Sequence, residues 1–381
     1  MLDYTKISLN EYLRLKESRI SPRMIADYLD KELPLRTFAE TAADVSGSND
    51  IKNELIEGLS ALEPEANKDS VRRKVSNWMN GKNEPNKRLD VIKICFALKL
   101  DEPKAQRLMS LFTDGCFHMR DPEELTYLYC IRTGKSFAQA NEMIRSLPKP
   151  AAEGEYREPV FTGKIRDKFE NVETDAEFSD FMRDNIDVLG KMHNTAYSYF
   201  KSCMNILMMP ETPDVLTIGL KNDELKKLKE SKFGVEDVVT AYLRMDVDAG
   251  TDTKRLTNVQ KIVRALWPST TSVEKMLIRS EDVNRKIIML LYVVTGGQTL
   301  TQDSGWPEDE EAFEQSAKEC FENHCIALDM LLQDCGMSRL DPRNPFDQLI
   351  LYSLRTTESD FAAERMRVLV NTLFDSKPET E

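Results

Sequence analysis

Ser70–Leu100, SVRRKVSNWMNGKNEPNKRLDVIKICFALKL, decides how this chain is read. Val71, Val75 and Trp78 or Met79 recur at helical spacing and point inward. Arg72, Arg73, Lys74, Ser76, Asn77 and Asn80 are left on the remaining face. Asp69 or Ser70 is placed to cap this helix. Gly81 stands where a left-handed C-terminal residue is needed, and Lys82-Asn83-Glu84-Pro85 reads as a turn. A second helix is expected from about Asn86, burying Leu89, Ile92, Phe96, Leu98 and Leu100.

Working outward, Asn49–Leu62 is amphipathic, with Ile51, Leu55, Ile56, Leu59 and Leu62 on one face. A polar joint, Glu63 to Asp69 (EPEANKD), separates it from the quoted stretch. Residues 1–47 read as three short helices. Leu9, Tyr12, Leu13 and Leu15 form the stripe of the first. Ser21-Pro22 opens the second as a hydroxyl cap followed by proline at the first helical position. The third covers about Arg36–Val45, and Gly47 ends it.

The run Val75-Ser76-Asn77-Trp78-Met79-Asn80-Gly81-Lys82-Asn83-Glu84-Pro85, with the apolar helix ending Ala97-Leu98-Lys99-Leu100-Asp101, resembles part of a Cro/C1-type (XRE-like) helix-turn-helix DNA-binding domain. The resemblance covers roughly residues 50–100 and rests on Trp-x-x-Gly followed by a proline-containing turn. The joint EPEANKD is longer than the family's turn. The resemblance implies a recognition helix carrying Arg72, Arg73 and Asn77 toward bases, with Lys74 beside them. Arginine can fork onto guanine and asparagine onto adenine. It also implies Lys82, Asn83, Lys87 and Arg88 at the phosphates. Trp78 is expected in the core.

Charge supports the same reading. Between Lys68 and Arg107 there are eleven Lys or Arg against five Asp or Glu. The whole chain carries −13, so the remainder carries about −19. A basic island on an acidic body fits a DNA-binding domain joined to something that does not touch DNA.

Downstream, Asp101, Asp121-Pro122-Glu123-Glu124 and Ser136-Phe137-Ala138-Gln139 are three further helix starts. Residues 148–160, dense in Pro, Gly and charge, read as a linker. Beyond it, helices are expected at about 175–208, 222–231, 235–245, 257–266, 272–295, 308–335, 345–356 and 358–374. Ile287–Val294 is the expected central core helix. The fold expected is all-α. Its parts are N-terminal helices (1–47), a helix-turn-helix domain with trailing helices (48–147), the linker, a C-terminal helical bundle (161–375) and a flexible tail (376–381).

Little points to catalysis. Gly134-Lys135-Ser136 lacks the upstream glycine of a P-loop, and no HExxH, GxGxxG or Gly-x-Ser-x-Gly occurs. His324 and Cys325, with Cys320 and Cys335, fit no regular zinc spacing. Asp246, Asp248 and Asp252 do not continue as a calcium loop. No cofactor, metal or enzymatic activity is therefore expected. Seven scattered cysteines and no export signal suggest a reducing cytoplasm, and no apolar run is long enough to span a membrane. The expected partners are double-stranded DNA, a second copy in a homodimer, and a protein partner through the acidic C-terminal domain. The function expected is a sequence-specific DNA-binding transcriptional regulator. The alternative is a protein-interaction scaffold of a mobile-element or defence system, whose helix-turn-helix no longer reads DNA.

Overall fold

A computed structural model of the chain describes residues 6–16, 20–85, 87–112, 115–147, 162–190, 192–209, 211, 214–217, 220–244, 256–296, 309–355 and 361–375. Among them the structure is all-helical, with no strand. The expected linker over 148–160, the calcium-like loop at Asp246–Asp252, Asn86 and the tail from residue 376 lie outside the described residues.

The chain begins with α1 (Lys6–Leu15), α2 (Pro22–Lys31), α3 (Phe38–Ser46), α4 (Ile51–Leu62), α5 (Lys68–Met79), α6 (Arg88–Ala97) and α7 (Glu102–Phe112). It continues with α8 (Pro122–Arg132), α9 (Phe137–Ser146), α10 (Thr162–Glu170), α11 (Asp175–Asn185) and α12 (Asn194–Met208). Then follow α13 (Asp214–Thr217), α14 (Asn222–Lys229), α15 (Val235–Val238), α16 (Asn258–Leu266), α17 (Thr270–Leu277) and α18 (Arg285–Leu291). The last are α19 (Glu310–Asp334), α20 (Pro345–Ser353) and α21 (Ala362–Asp375). Wider π turns, Val239–Leu243 and Tyr292–Gly296, extend α15 and α18.

Local chemistry sets the helix starts. The side chains of Ser21, Thr37, Asp121 and Asn344 each accept a backbone N–H from the first turn they cap. Ser136 with Gln139, and Thr257 with Gln260, close reciprocal capping boxes. Two long helices expected from periodicity are broken. Residues 175–208 divide at the turn after Asn185, and 272–295 divide between Leu277 and Arg285. In the second, Arg279 adopts a left-handed conformation (φ 56°), and Asn284 then caps α18.

The helices gather into two compact units. One comprises residues 36–195 and 332–339. Its core runs from Phe38 on α3 through Leu55, Val75, Trp78, Ile94, Leu108, Leu128 and Tyr129 to Phe169, Phe178 and Phe181. Helices α10 and α11, expected with the C-terminal bundle, thus complete this core. Arg132 holds several layers together. Its guanidinium forks onto Glu102 of α7 at 2.5 and 3.0 Å and also donates to the carbonyls of Phe169 and Val172.

The other unit comprises residues 1–35, 196–331 and 340–381. Helix α18 is its centre, with Ile287 to Leu291 fully buried, as the apolar run implies. Helix α2 packs on α21, and α20 packs on α21 and α16. The N-terminal helices are fastened by side chains from the C-terminal end of the chain. Tyr352 and Arg355 donate to the carbonyl of Ile20, and Arg343 donates to that of Pro34. A buried fork joins Arg285 to Asp347 at 2.7 and 2.6 Å. Tyr12 and Leu15 face this core, whereas Leu9 and Leu13 of the expected stripe stay exposed.

Candidate nucleic-acid interface

Helices α4, α5 and α6 of the first unit carry the stretch expected to form a helix-turn-helix. Helix α4 packs on both its successors, and α5 also meets α3. Close approach of α4 to α6 depends on Gly58. A Cβ there would lie 2.8 Å from both the Cβ and the carbonyl oxygen of Ala97. A glycine within a helix costs about 1 kcal/mol relative to alanine, and here it makes room for backbone.

The joint between α4 and α5 is shorter than expected. Asn67, not Asp69 or Ser70, is the cap; its side chain accepts from Asp69 N at 2.8 Å. Helix α5 therefore starts at Lys68, and five residues, 63–67, separate the two helices. Val71, Val75 and Trp78 are buried, and Trp78 meets Phe38 edge-on at 5.7 Å. At 100° per residue the side opposite this stripe carries Asp69, Arg73, Ser76, Asn77 and Asn80. Arg72 and Lys74 lie on its two flanks.

The end of α5 is fixed by a Schellman turn. Gly81 has φ 66°, and Lys82 N reaches back to Asn77 O at 2.9 Å. The segment then presents exposed Lys82, Asn83 and Lys87, while Pro85 is buried. Helix α6 begins at Arg88 and buries Val91, Ile92, Ile94 and Cys95. Leu89, expected in the core, is 46% exposed because it falls on the opposite side of α6.

The expected contact residues separate into four groups, and Lys68, which was not among them, joins the first. Lys68, Arg73, Lys82 and Lys87 are exposed, and among the described residues they make no ion pair. Lys68 was hidden in the sequence because the stretch around it reads as connector. Asn77 is half-buried and Asn83 exposed. Arg72 and Lys74 are exposed but have acid neighbours: Asp69 at 3.2 Å and Asp90 at 2.7 Å, respectively. Lys74 also sits 5.0 Å over the Trp78 ring. Such exposed pairs are worth under about 1 kcal/mol and open readily toward a phosphate.

Arg88, also expected at the phosphates, differs from all of these. Its Nε and Nη2 fork onto Glu124 at 2.5 and 2.6 Å. Nη1 and Nη2 also donate to the carbonyls of Gly115 and Cys116. The guanidinium is thus spent on holding the start of α6 to the start of α8. Glu124 also accepts the backbone N–H of His118 at 2.7 Å.

Beyond that clamp lie two imidazoles. His118 is buried, and its ring stands 3.9 Å from that of His193, at 87°. Burial, with His193, Arg88 and Arg120 adding positive charge, holds His118 well below the usual imidazole pKa. Reading along the chain misses this pair, because 75 positions separate the two residues. The cysteines remain free thiols. Gly134, in the Gly-Lys-Ser run, is the left-handed turn after α8, and Lys135 pairs with Asp175. No described helix is long and apolar enough to cross a membrane.

No protein-family model, curated protein or solved structure matches the chain.

Proposed function

We propose that the chain is a DNA-binding regulator of transcription that reads double-stranded DNA with α5. The observation that carries this reading is the outward side of that helix. Arg73, Ser76, Asn77 and Asn80 lie opposite the buried stripe; exposed Lys68 starts the helix and exposed Lys82 and Lys87 follow it, none with an ion pair among the described residues. A side chain that can fork onto guanine and one that can fork onto adenine thus share one solvent-facing surface. Arg72, Lys74 and the lysines of the following turn supply the phosphate contacts that fix register. Asp69 limits non-specific attraction on the same helix. The second unit, in this reading, supplies dimerisation or signal sensing.

The test is selection from a random duplex library with the full chain, followed by gel shifts of the enriched sequence. Arg73→Ala should cost about 1–3 kcal/mol and relax preference at one position. Lys82→Ala should weaken all sequences alike and reduce the slope of log affinity against log salt by about 1. Failure to enrich any duplex at ~100 mM salt, with helix content intact, would reject the DNA reading. It would instead favour the protein-interaction module.

A further inference from the structure

We propose that His118 and His193 form a site for a divalent transition-metal ion, zinc or one of its neighbours. Both residues belong to the unit containing residues 36–195, and neither takes part in the surface of α5.

The scaffold is built to hold them together. His118 lies on the segment leading into α8, and His193 on the segment following α11. Three hydrogen bonds cross-link these segments, two residues from His118 and three to five residues from His193. Nε and Nη2 of Arg120 donate to the carbonyl of Val188 at 2.8 and 2.5 Å, and Gly190 N donates to Arg120 O at 2.8 Å. Leu189 is buried between these contacts in sequence. The His118 backbone is held separately by Glu124. The segments that carry the two rings are therefore held together by bonds that do not use the imidazoles.

The rings themselves point to a ligand. Their centroids are closer than the ~4.5–7 Å usual for stacked or edge-on aromatic pairs. Their ligating nitrogens come within 4.8 Å of each other. Two nitrogens on one tetrahedral zinc stand about 3.3 Å apart, so a modest rotation of half-buried His193 closes the site. His118 Nδ1 is buried without a hydrogen-bond partner among the described residues. An unsatisfied buried polar atom costs about 1–3 kcal/mol and in a native fold calls for an unseen ion or water. Imidazole is the commonest metal donor among side chains. The charge of nearby Arg88 is balanced by Glu124, which leaves the guanidinium of Arg120 as the adjacent opposing charge.

The test titrates Co²⁺, then Zn²⁺ in competition, into the reduced full chain. One equivalent should bind, with weak visible bands and no intense near-ultraviolet thiolate band. His193→Ala, a change at a half-buried position, should weaken binding at least ~10-fold without loss of helix content. The chain has three histidines, so ring ¹⁵N–¹H spectra of the unsubstituted protein give an answer that needs no variant. Signals of two imidazoles should shift with metal, and that of buried His324 should not. Absence of binding at ~100 µM metal, a thiolate band, affinity unchanged by His193→Ala, or a shift confined to His324 would each overturn the proposal.

Discussion

Helices α5 and α6 follow one another and come from the same basic stretch, yet they use their cations in opposite ways. Arg73 on α5 stands in solvent and makes no ion pair among the described residues, whereas Arg88 at the start of α6 is forked onto Glu124 and donates to two carbonyls. The difference is set by what lies outside the stretch. Helix α5 has nothing packed over Arg73, whereas α6 begins beside the Gly115–Cys116 backbone and the first turn of α8. A count of positive charge cannot tell a surface that attracts phosphate from a clamp that holds a helix.

The largest expected effect separates these two roles. Arg88→Ala leaves Glu124 as a nearly buried carboxylate without its cation, and loss of one partner from such a pair costs about 3 kcal/mol. Urea denaturation of Arg88→Ala should show that loss with an unchanged slope. Arg73→Ala should stay within about 0.5 kcal/mol of the parent. Equal stabilities for the two variants would erase the distinction between surface and clamp.

Much of the fold was legible because helix starts are local events. Ser21, Asp121, Ser136, Thr257 and Asn344 each act on N–H groups two or three residues away, so the cap can be read where it stands. Trp78 and the run Ile287–Val294 were legible because large apolar side chains at helical spacing need a core. What escaped depends on distant partners. Arg88 meets a residue 36 positions away. The breaks in 175–208 and 272–295 carry no proline, so periodicity runs through them. Leu89 illustrates a further limit: a single apolar residue fits a stripe as readily as it sits exposed. Of the expected α5 and turn residues, Arg73, Lys82, Asn83 and Lys87 are exposed and Asn77 is half-buried. The role assigned to them remains the proposal above.

A smaller effect tests how α6 is held at its other end. Gly58→Ala adds a methyl group that would stand 2.8 Å from Ala97 Cβ and O. The gain in helix propensity, about 1 kcal/mol, is outweighed by overpacking against backbone, which costs about 1–3 kcal/mol. Net destabilisation of about 1 kcal/mol is expected by thermal or urea unfolding. Adding Ala97→Gly should recover part of it, since one of the two contacts disappears. A stabilised Gly58→Ala would mean that α4 and α6 can separate freely, so that Arg88 alone sets the position of α6.

The smallest effect contrasts the two helix ends. Helices α5 and α6 both finish in Schellman turns, the first through Gly81 and the second through Lys99 at φ 50°. Leu100 N reaches Cys95 O at 3.0 Å, just as Lys82 N reaches Asn77 O at 2.9 Å. The hydrogen bonds match, but lysine has a Cβ that crowds the backbone in the left-handed region, at a cost of roughly 1 kcal/mol that glycine avoids. Lys99 is exposed, so the substitution removes little packing. Lys99→Gly should therefore stabilise the unit by up to about 1 kcal/mol, less the backbone entropy that glycine adds to the unfolded chain. Gly81→Lys, the reverse change in an open surrounding, should destabilise by a similar amount. Opposite signs at the two positions would show that the helix ends differ only in the residue each places in the left-handed turn. A loss in both variants would show that Lys99 contributes through its side chain.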